Sequence, residues 1–198
     1  TRRLWTIPFV PHSMPHLDVS RKIKMDIEFR RLGEVAKSNI VELMNNPLVR
    51  EHLPLAPGGF DEIDCDHFIA AKEKLWTEHG YGPWAFVIDG QFCGWGGLQP
   101  ENGEADFAMV LHPNYWGIGK RLFDTIIGLA FGKMGFEAVT ALLPPTRKKI
   151  RALKKLGFEG DGELIIGGKR FFRYRLRKQT GANKTVVSTP LRAPRFTP

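Results

Sequence analysis

The sequence is poor in cysteine and contains no long apolar run. Its 198 residues include only two cysteines, Cys65 and Cys93, which are too few for a disulfide framework and lack paired metal-ligand spacing. No segment approaches the roughly 18 uninterrupted apolar residues that a membrane-spanning helix needs. We therefore expect no disulfide-stapled secreted domain, no metal site and no membrane partner, and a reducing, cytoplasmic setting.

Positive charge is abundant but lies mainly at the two ends of the chain. The formal net charge is +8, of which residues 1–24 carry +4 and residues 177–198 carry +5, so that the core, 25–176, has a net charge of −1. We predict a basic, proline-containing N-terminal extension, one folded domain over 25–176 and a basic C-terminal tail. A basic protein often binds nucleic acid, and here that expectation, of a weak nucleic-acid or ribosome contact, applies to the tails alone.

The hydrophobic pattern of the core predicts a mixed α/β domain with a mostly antiparallel twisted sheet flanked by helices. The predicted order is β-α-α-β-β-β-α-β-α-β-β. The pairs Asp89-Gly90 and Gly167-Gly168 predict tight hairpin turns. A long helix is predicted over 117–134, and a short one over 147–156 with Gly157 as its C-terminal cap.

The start of the long predicted helix carries the strongest functional signal. Pro113 stops a strand, and Gly117 and Gly119 then open the helix. The free backbone N–H groups and the dipole of a helix N-terminus favour an anion, and glycines let a phosphate approach the backbone. We predict a pyrophosphate-binding cradle here; the alternative is that the glycines only tighten a turn.

Two common nucleotide-binding motifs do not fit this segment. A Walker A loop needs a glycine where Asn114 stands and Ser or Thr where Arg121 stands. A dinucleotide fingerprint needs its third glycine where Leu122 stands. The phosphate of another type of ligand is therefore expected.

Two motifs resemble signatures of the GNAT superfamily of acetyl-CoA-dependent N-acyltransferases. The run Trp116-Gly117-Ile118-Gly119-Lys120 resembles the Gln/Arg-x-x-Gly-x-Gly/Ala signature, and residues 150–159, Ile-Arg-Ala-Leu-Lys-Lys-Leu-Gly-Phe-Glu, resemble the short helix that ends in Leu-Gly-Phe. Spacing and element order agree over 25–176. The motif His-Pro-x-Tyr-Trp-Gly most resembles the corresponding segment in the branch that contains ribosomal-protein N-terminal acetyltransferases.

The resemblance implies a GNAT-like fold and direct transfer of an acetyl group from acetyl-CoA to a primary amine, either a protein N-terminus or a small molecule. It also implies that the end of the strand before the cradle pairs with the pantetheine amides and supplies an oxyanion donor. The residues then expected to bind coenzyme A are Met109, Val110, Leu111, Trp116, Gly117, Ile118, Gly119, Lys120, Arg121, Thr146 and Lys149.

Candidate catalytic residues lie on the same strand. Asp106 stands where the similar branch usually has a glutamate, and is the candidate base that removes the amine proton through water; a solvated or substrate-orienting carboxylate is the alternative. Glu104 lies on the same face. Leu153 stands where many relatives have a proton-donating tyrosine, and Tyr115 is a substitute donor or a packing residue.

Two other classes of function stay open at this point. The missing tyrosine favours a non-catalytic acyl-CoA-binding regulatory module, and the basic tails favour a nucleic-acid-associated protein. A homodimer is a further hypothesis.

Overall fold

The computed structural model describes residues 26–53, 58–145 and 151–179. The strands are β1 (Ile27–Arg30), β2 (Pro83–Ile88), β3 (Gln91–Glu101), β4 (Glu104–Leu111), β5 (Ala138–Leu143), β6 (Glu159–Ile166) and β7 (Lys169–Arg177). The helices are α1 (Lys37–Asn45), α2 (Pro47–Arg50), α3 (Glu62–His79), α4 (Gly119–Gly132) and α5 (Arg151–Lys155). The predicted short helix over 147–156 is described only from Arg151 onwards.

The strands form one seven-stranded sheet in the order β1-β2-β3-β4-β5-β7-β6. Every neighbouring pair is antiparallel except β4 and β5. Tight turns join the hairpins because both of their residues have positive φ: 49° and 80° at Asp89-Gly90, and 54° and 72° at Gly167-Gly168. The predicted mixed, mostly antiparallel α/β fold is therefore confirmed.

The two faces of the sheet carry different helices. Side chains of α1, α2 and α3 pack with Ala85 and Trp95 on one face, which we call the α3 face. Leu122 and Ile126 of α4 pack with β1 to β5 on the other face, and Phe123 continues that packing toward β7. Alternate residues of each strand therefore serve separate cores.

Two element boundaries differ from the predictions in ways that affect the site. Residues Pro113–Ile118 form a 3-10 segment, so the long helix begins at Gly119 and not at Gly117. Pro113 occupies the first turn of that segment, where a missing N–H costs nothing. Strand β6 begins at Glu159, four residues before the predicted start at Glu163, because pairing with β7 continues across a register shift.

The C-terminal end of the sheet passes the predicted boundary of the folded domain. Strand β7 ends at Arg177, and the Lys178 N–H then donates to the Glu137 carbonyl at 2.9 Å. No helix within the described ranges is long and apolar enough to cross a bilayer.

Candidate active site

The N-terminus of α4 is suited to an anion. The preceding residue, Ile118, has no side-chain oxygen that could cap the first turn, although the Gly119 N–H donates to the Trp116 carbonyl of the 3-10 segment. A Cβ added at Gly117 would meet no atom of the described residues within 4 Å, so the backbone there is open to a ligand. The open backbone at Gly117 and the positive end of the helix dipole fit a pyrophosphate.

Gly119 lies closer to the sheet than Gly117. Its added Cβ would lie 3.4 Å from Met109 Cε and 3.6 Å from Leu111 Cδ1. A larger side chain would therefore fill the space between the start of α4 and the end of β4. The absence of a side chain at this position keeps that space open.

Strands β4 and β5 are in register at one pair only, Asp106 with Thr140, whereas β3 and β4 are in register from Gly94–Leu111 to Glu101–Glu104. The Ala105 carbonyl faces β5, since it lies 3.5 Å from the Thr140 hydroxyl. Backbone groups of successive residues point to opposite sides of a strand, and those of every second residue point to the same side. Beyond the registered pair, the backbone of β4 therefore has an edge without a registered strand, which we call the open edge.

The residues predicted to pair with pantetheine direct their backbone groups to different sides of β4. Met109 has the same backbone orientation as Ala105 and faces the open edge. Val110 faces β3, because a Cβ on Gly94 would lie 2.3 Å from the Val110 carbonyl oxygen. The Leu111 carbonyl accepts a hydrogen bond from Trp116 Nε1 at 3.0 Å, so Trp116 ties the strand end to the cradle.

The remaining residues that are expected to bind coenzyme A, among them the predicted phosphate-contacting lysines, are only partly described. Lys120 and Asp124 lie one helical turn apart and form an exposed ion pair, with 2.6 Å between Nζ and Oδ2. Arg121 is half-buried on the same turn. Thr146 and Lys149 lie outside the described residues.

Asp106 is buried on the α3 face, at the point where β4 and β5 separate. Only 3% of the residue is exposed, and Oδ1 accepts a hydrogen bond from the Thr140 hydroxyl at 3.0 Å. Burial raises the pKa of Asp106 to about 7, although Thr140, Gln99 and Lys72 favour the carboxylate. A carboxyl group with this pKa can exchange a proton at neutral pH.

Glu104 is held in a different way. Its carboxylate accepts from Arg175 Nη2 at 2.8 Å, and Arg173 lies 3.5 Å away. The hydrogen bond from Arg175 lowers the pKa of Glu104, and Arg175 also bonds to Asp161. These pairings make Glu104 a member of an ion-pair network and a weaker base than Asp106.

The candidate proton donor, Tyr115, and the position where relatives carry a tyrosine, Leu153, have different environments. Tyr115 lines a cavity of ≈ 200 Å³ between α1 and the segment before α4, together with Glu42 and His112. Leu153 packs beside Phe123 and Phe158 under the other face of the sheet. The position at which relatives often carry a tyrosine is thus part of an apolar core.

The Leu-Gly-Phe motif has a clear structural role. Gly157 has φ of +92°, and the Phe158 and Gly157 N–H groups donate to the carbonyls of Leu153 and Lys154. This pattern is a Schellman motif, and it confirms Gly157 as the predicted cap. Phe158 then enters the core against Phe123, with ring centroids 5.9 Å apart.

Neither cysteine has the environment of a nucleophile. Both thiols are buried, and burial raises the pKa of Cys93 to about 12. In the ranges that the structure describes, no three His, Cys, Asp or Glu side chains are grouped to hold a metal ion.

The sequence predicts Asp106 but does not reveal three side chains around it. Thr140, Gln99 and Lys72 come from β5, β3 and α3, and no local pattern connects them with residue 106. Only the register of β3, β4 and β5 brings them together. The alternation of side chains along β4 is the one available signal in the sequence for the location of Asp106. It places residue 106 on the sheet face opposite to the face of the core residue Ala105.

The fold and the site together define a class of protein. A mixed, mostly antiparallel sheet with a glycine-containing segment before its long helix agrees with the fold and the cradle that the resemblance to the GNAT superfamily implies. Residues 27–159 match the family model described as acetyltransferase (GNAT) domain, and the chain belongs to this family. The predictions of the family and of an acetyltransferase are thereby confirmed.

Solved structures with the same fold come from distant relatives. An acetyltransferase from Agrobacterium tumefaciens str. C58 has 16% identity and a TM-score of 0.63, over 87% of this chain and 100% of that one. A point mutant of the spermidine N-acetyltransferase SpeG of Vibrio cholerae has 16% identity and a TM-score of 0.56, over 78% and 94%. AAC(6')-Ib, in complex with paromomycin and acetyl-CoA, has 13% identity and a TM-score of 0.61, over 78% and 94%.

Proposed function

We propose that this protein is an N-acetyltransferase that transfers an acetyl group directly from acetyl-CoA to a primary amine, with Asp106 as the base. The observation that carries the proposal is the position of Asp106. Its buried carboxyl group lies at the point where β4 and β5 separate, and its pKa is about 7.

The residues around the open edge fit coenzyme A. The first turn of α4, behind Gly117 and Gly119, would hold the pyrophosphate through backbone N–H groups. The Met109 backbone would pair with the pantetheine amides as an added strand does. When bound, acetyl-CoA supplies the acetyl thioester that acts as acyl donor.

Asp106 would prepare the acceptor for attack. An ammonium group has no lone pair, so it must lose a proton before its nitrogen can form the amide bond. The Asp106 carboxylate accepts this proton, directly or through water, and Thr140 holds the carboxylate in place through the 3.0 Å hydrogen bond. Near pH 7 a substantial fraction of the side chain is ionised and able to act.

The acceptor class rests on two lines of support. SpeG and AAC(6')-Ib are, by name, a spermidine and an aminoglycoside acetyltransferase, so proteins of this fold include enzymes for small amines. The His-Pro-x-Tyr-Trp-Gly motif supports a protein N-terminus as the acceptor, as in the ribosomal-protein branch. The reaction would then take place in the cytoplasm.

A second candidate is a non-catalytic acyl-CoA-binding module. The packing of Leu153 in an apolar core supports it, because the position offers no proton donor. This candidate predicts coenzyme A binding without thiol release.

Free-thiol release from acetyl-CoA, measured against a panel of N-terminal peptides and small amines, tests the proposal. We expect turnover with one acceptor class, and Asp106→Asn should reduce it by about 10²–10⁴-fold, the usual range for a lost general base. Calorimetry should show unchanged acetyl-CoA binding. Asp66→Asn, which removes an exposed carboxylate of α3, is the matched control and should keep full turnover.

The outcomes separate the candidates. Binding of acetyl-CoA without thiol release for any amine would favour the regulatory module. Full turnover of Asp106→Asn at every pH would remove Asp106 from the mechanism.

A further inference from the structure

We propose that Lys72 is a positioning residue for the reaction, which acts on the candidate base Asp106 through the side-chain amide of Gln99. This inference rests on the proposed function of Asp106. It adds a residue from α3, far from both sequence motifs.

The amide of Gln99 links the two charged groups. Lys72 Nζ donates to Gln99 Oε1 at 2.8 Å. Gln99 is the direct register partner of Asp106 on the neighbouring strand, so both side chains lie on the α3 face, and Gln99 favours the Asp106 carboxylate. An ammonium, an amide and a carboxylate thus follow one another on the α3 face, an arrangement that we call the chain from Lys72 to Asp106.

This chain fixes the orientation of the amide. A glutamine amide has one oxygen that accepts and one NH₂ that donates. Because Lys72 is a donor, it requires the oxygen, and the NH₂ is then directed at Asp106. The reverse orientation would place the amide oxygen against the carboxylate and the NH₂ against the ammonium group, so it is disfavoured at both ends.

Aromatic rings hold Lys72 in this position. Its Nζ lies 5.6 Å from the ring centroids of both Phe68 and Trp95, within the range of cation–π contacts. Burial lowers the pKa of Lys72, while the negative charges of Asp106 and Glu101 oppose that change. The ammonium group is therefore fixed in a half-buried location where its charge is poorly screened.

The remaining groups around Asp106 do not replace this charge. Thr140 from β5 is neutral, and Glu101 from β3 adds negative charge. On β4 itself Glu104 is bound to Arg175 of β7. Among the described residues, Lys72 is thus the cation whose charge favours the Asp106 carboxylate.

The experiment compares Lys72→Met with Lys72→Arg, which keeps charge and donor. Lys74→Met is the matched control, since this lysine is exposed on the same helix and pairs with Glu78. Without Lys72, we expect the acidic limb of the pH–rate profile to move upward by about one pH unit, equivalent to about a tenfold change in the protonation equilibrium of Asp106. Lys72→Arg and Lys74→Met should keep the limb near its original position.

A second measurement does not depend on turnover. The ¹³C carboxyl signal of Asp106, assigned by its absence in Asp106→Asn, should titrate at higher pH in Lys72→Met than in the unmodified protein. Gln99→Leu should produce a similar increase, and adding Lys72→Met to it should add little, because both changes interrupt one chain.

Each result has a definite reading. Equal titration midpoints of Asp106 in the unmodified protein and in Lys72→Met would overturn the inference, as would a uniform loss of turnover with no movement of the acidic limb. If the titration midpoint of Asp106 moves in Lys72→Met but the protein releases no thiol with any amine, the effect of Lys72 on Asp106 is confirmed and the proposed function is wrong. If Lys72→Met does not fold, Lys72→Gln, which keeps a donor without the charge, is titrated in its place and must also show the increase.

Discussion

Replacement of Asp106 by asparagine should make the protein more stable at alkaline pH while it removes activity. In the unfolded chain the carboxyl group has its ordinary pKa of 3.8, whereas burial raises the pKa to about 7 in the folded protein. The folded state thus binds the proton more tightly. The free energy of unfolding should decrease as the pH rises from about 4 to about 7, and the cost of the buried charge is complete above that window.

The structure sets the size of this effect. The difference between 3.8 and about 7, at about 1.36 kcal/mol per pKa unit, corresponds to about 4 kcal/mol. This is an upper value, because water penetration and relaxation reduce the cost of a buried charge. The asparagine side chain would keep the shape of the aspartate and an oxygen that accepts from the Thr140 hydroxyl, so the packing changes little.

Urea unfolding followed by tryptophan fluorescence at pH 4, 5, 6, 7 and 8 measures the effect. Asp106→Asn should match the unmodified protein near pH 4 and exceed it by a margin that grows to its full value at pH 8. Asp66→Asn, which removes an exposed carboxylate, should show no such growth. A constant difference across the series, or an asparagine variant that is less stable at pH 8, would refute the assignment of a buried, reluctantly ionised Asp106.

Two further predictions concern the cradle and the ends of the chain. Gly119→Val should fill the space beside the open edge of β4 and weaken coenzyme A binding in calorimetry. Gly128→Ala is the control and should leave binding unchanged, because its added methyl meets no atom of the described residues within 4 Å. Equal affinity of both variants would contradict the cradle. Removal of residues 1–24 and 180–198 should leave acetyl-CoA binding and small-amine turnover intact, because the cradle and Asp106 lie between them; a folded, trimmed protein that no longer binds acetyl-CoA would show that an end of the chain reaches the site.

Local chemistry makes much of the fold predictable. The turns at Asp89-Gly90 and Gly167-Gly168 and the cap at Gly157 require positive φ, and this requirement is visible in the sequence alone. The predicted start of the long helix is two residues early, because a single turn is too short for its apolar spacing to distinguish 3.0 from 3.6 residues per turn. Regular alternation also locates Asp106 on a strand.

The partners of the charged residues are not predictable in the same way. Glu104 and Arg175 are 71 positions apart, and their pairing exists only because β7 enters the sheet beside β5. The link from Lys72 through Gln99 to Asp106 requires a helix and two strands to be placed first. Tertiary contacts of this kind depend on the sheet order, which no local pattern of the chain contains.

The single registered pair between β4 and β5 also bears on how the molecule opens. On either side of it lie a four-stranded unit, β1 to β4, and a three-stranded unit of β5, β7 and β6. Helix α4 contacts both, since Leu122 and Ile126 pack with β1 to β5, and Phe123 packs with Phe107 of β4 and with residues of β5 and β7. In native-state hydrogen exchange these units should behave as separate cooperative segments. A ligand that pairs along the open edge would join them, so slower exchange in β5 on ligand addition reports the closing of the sheet.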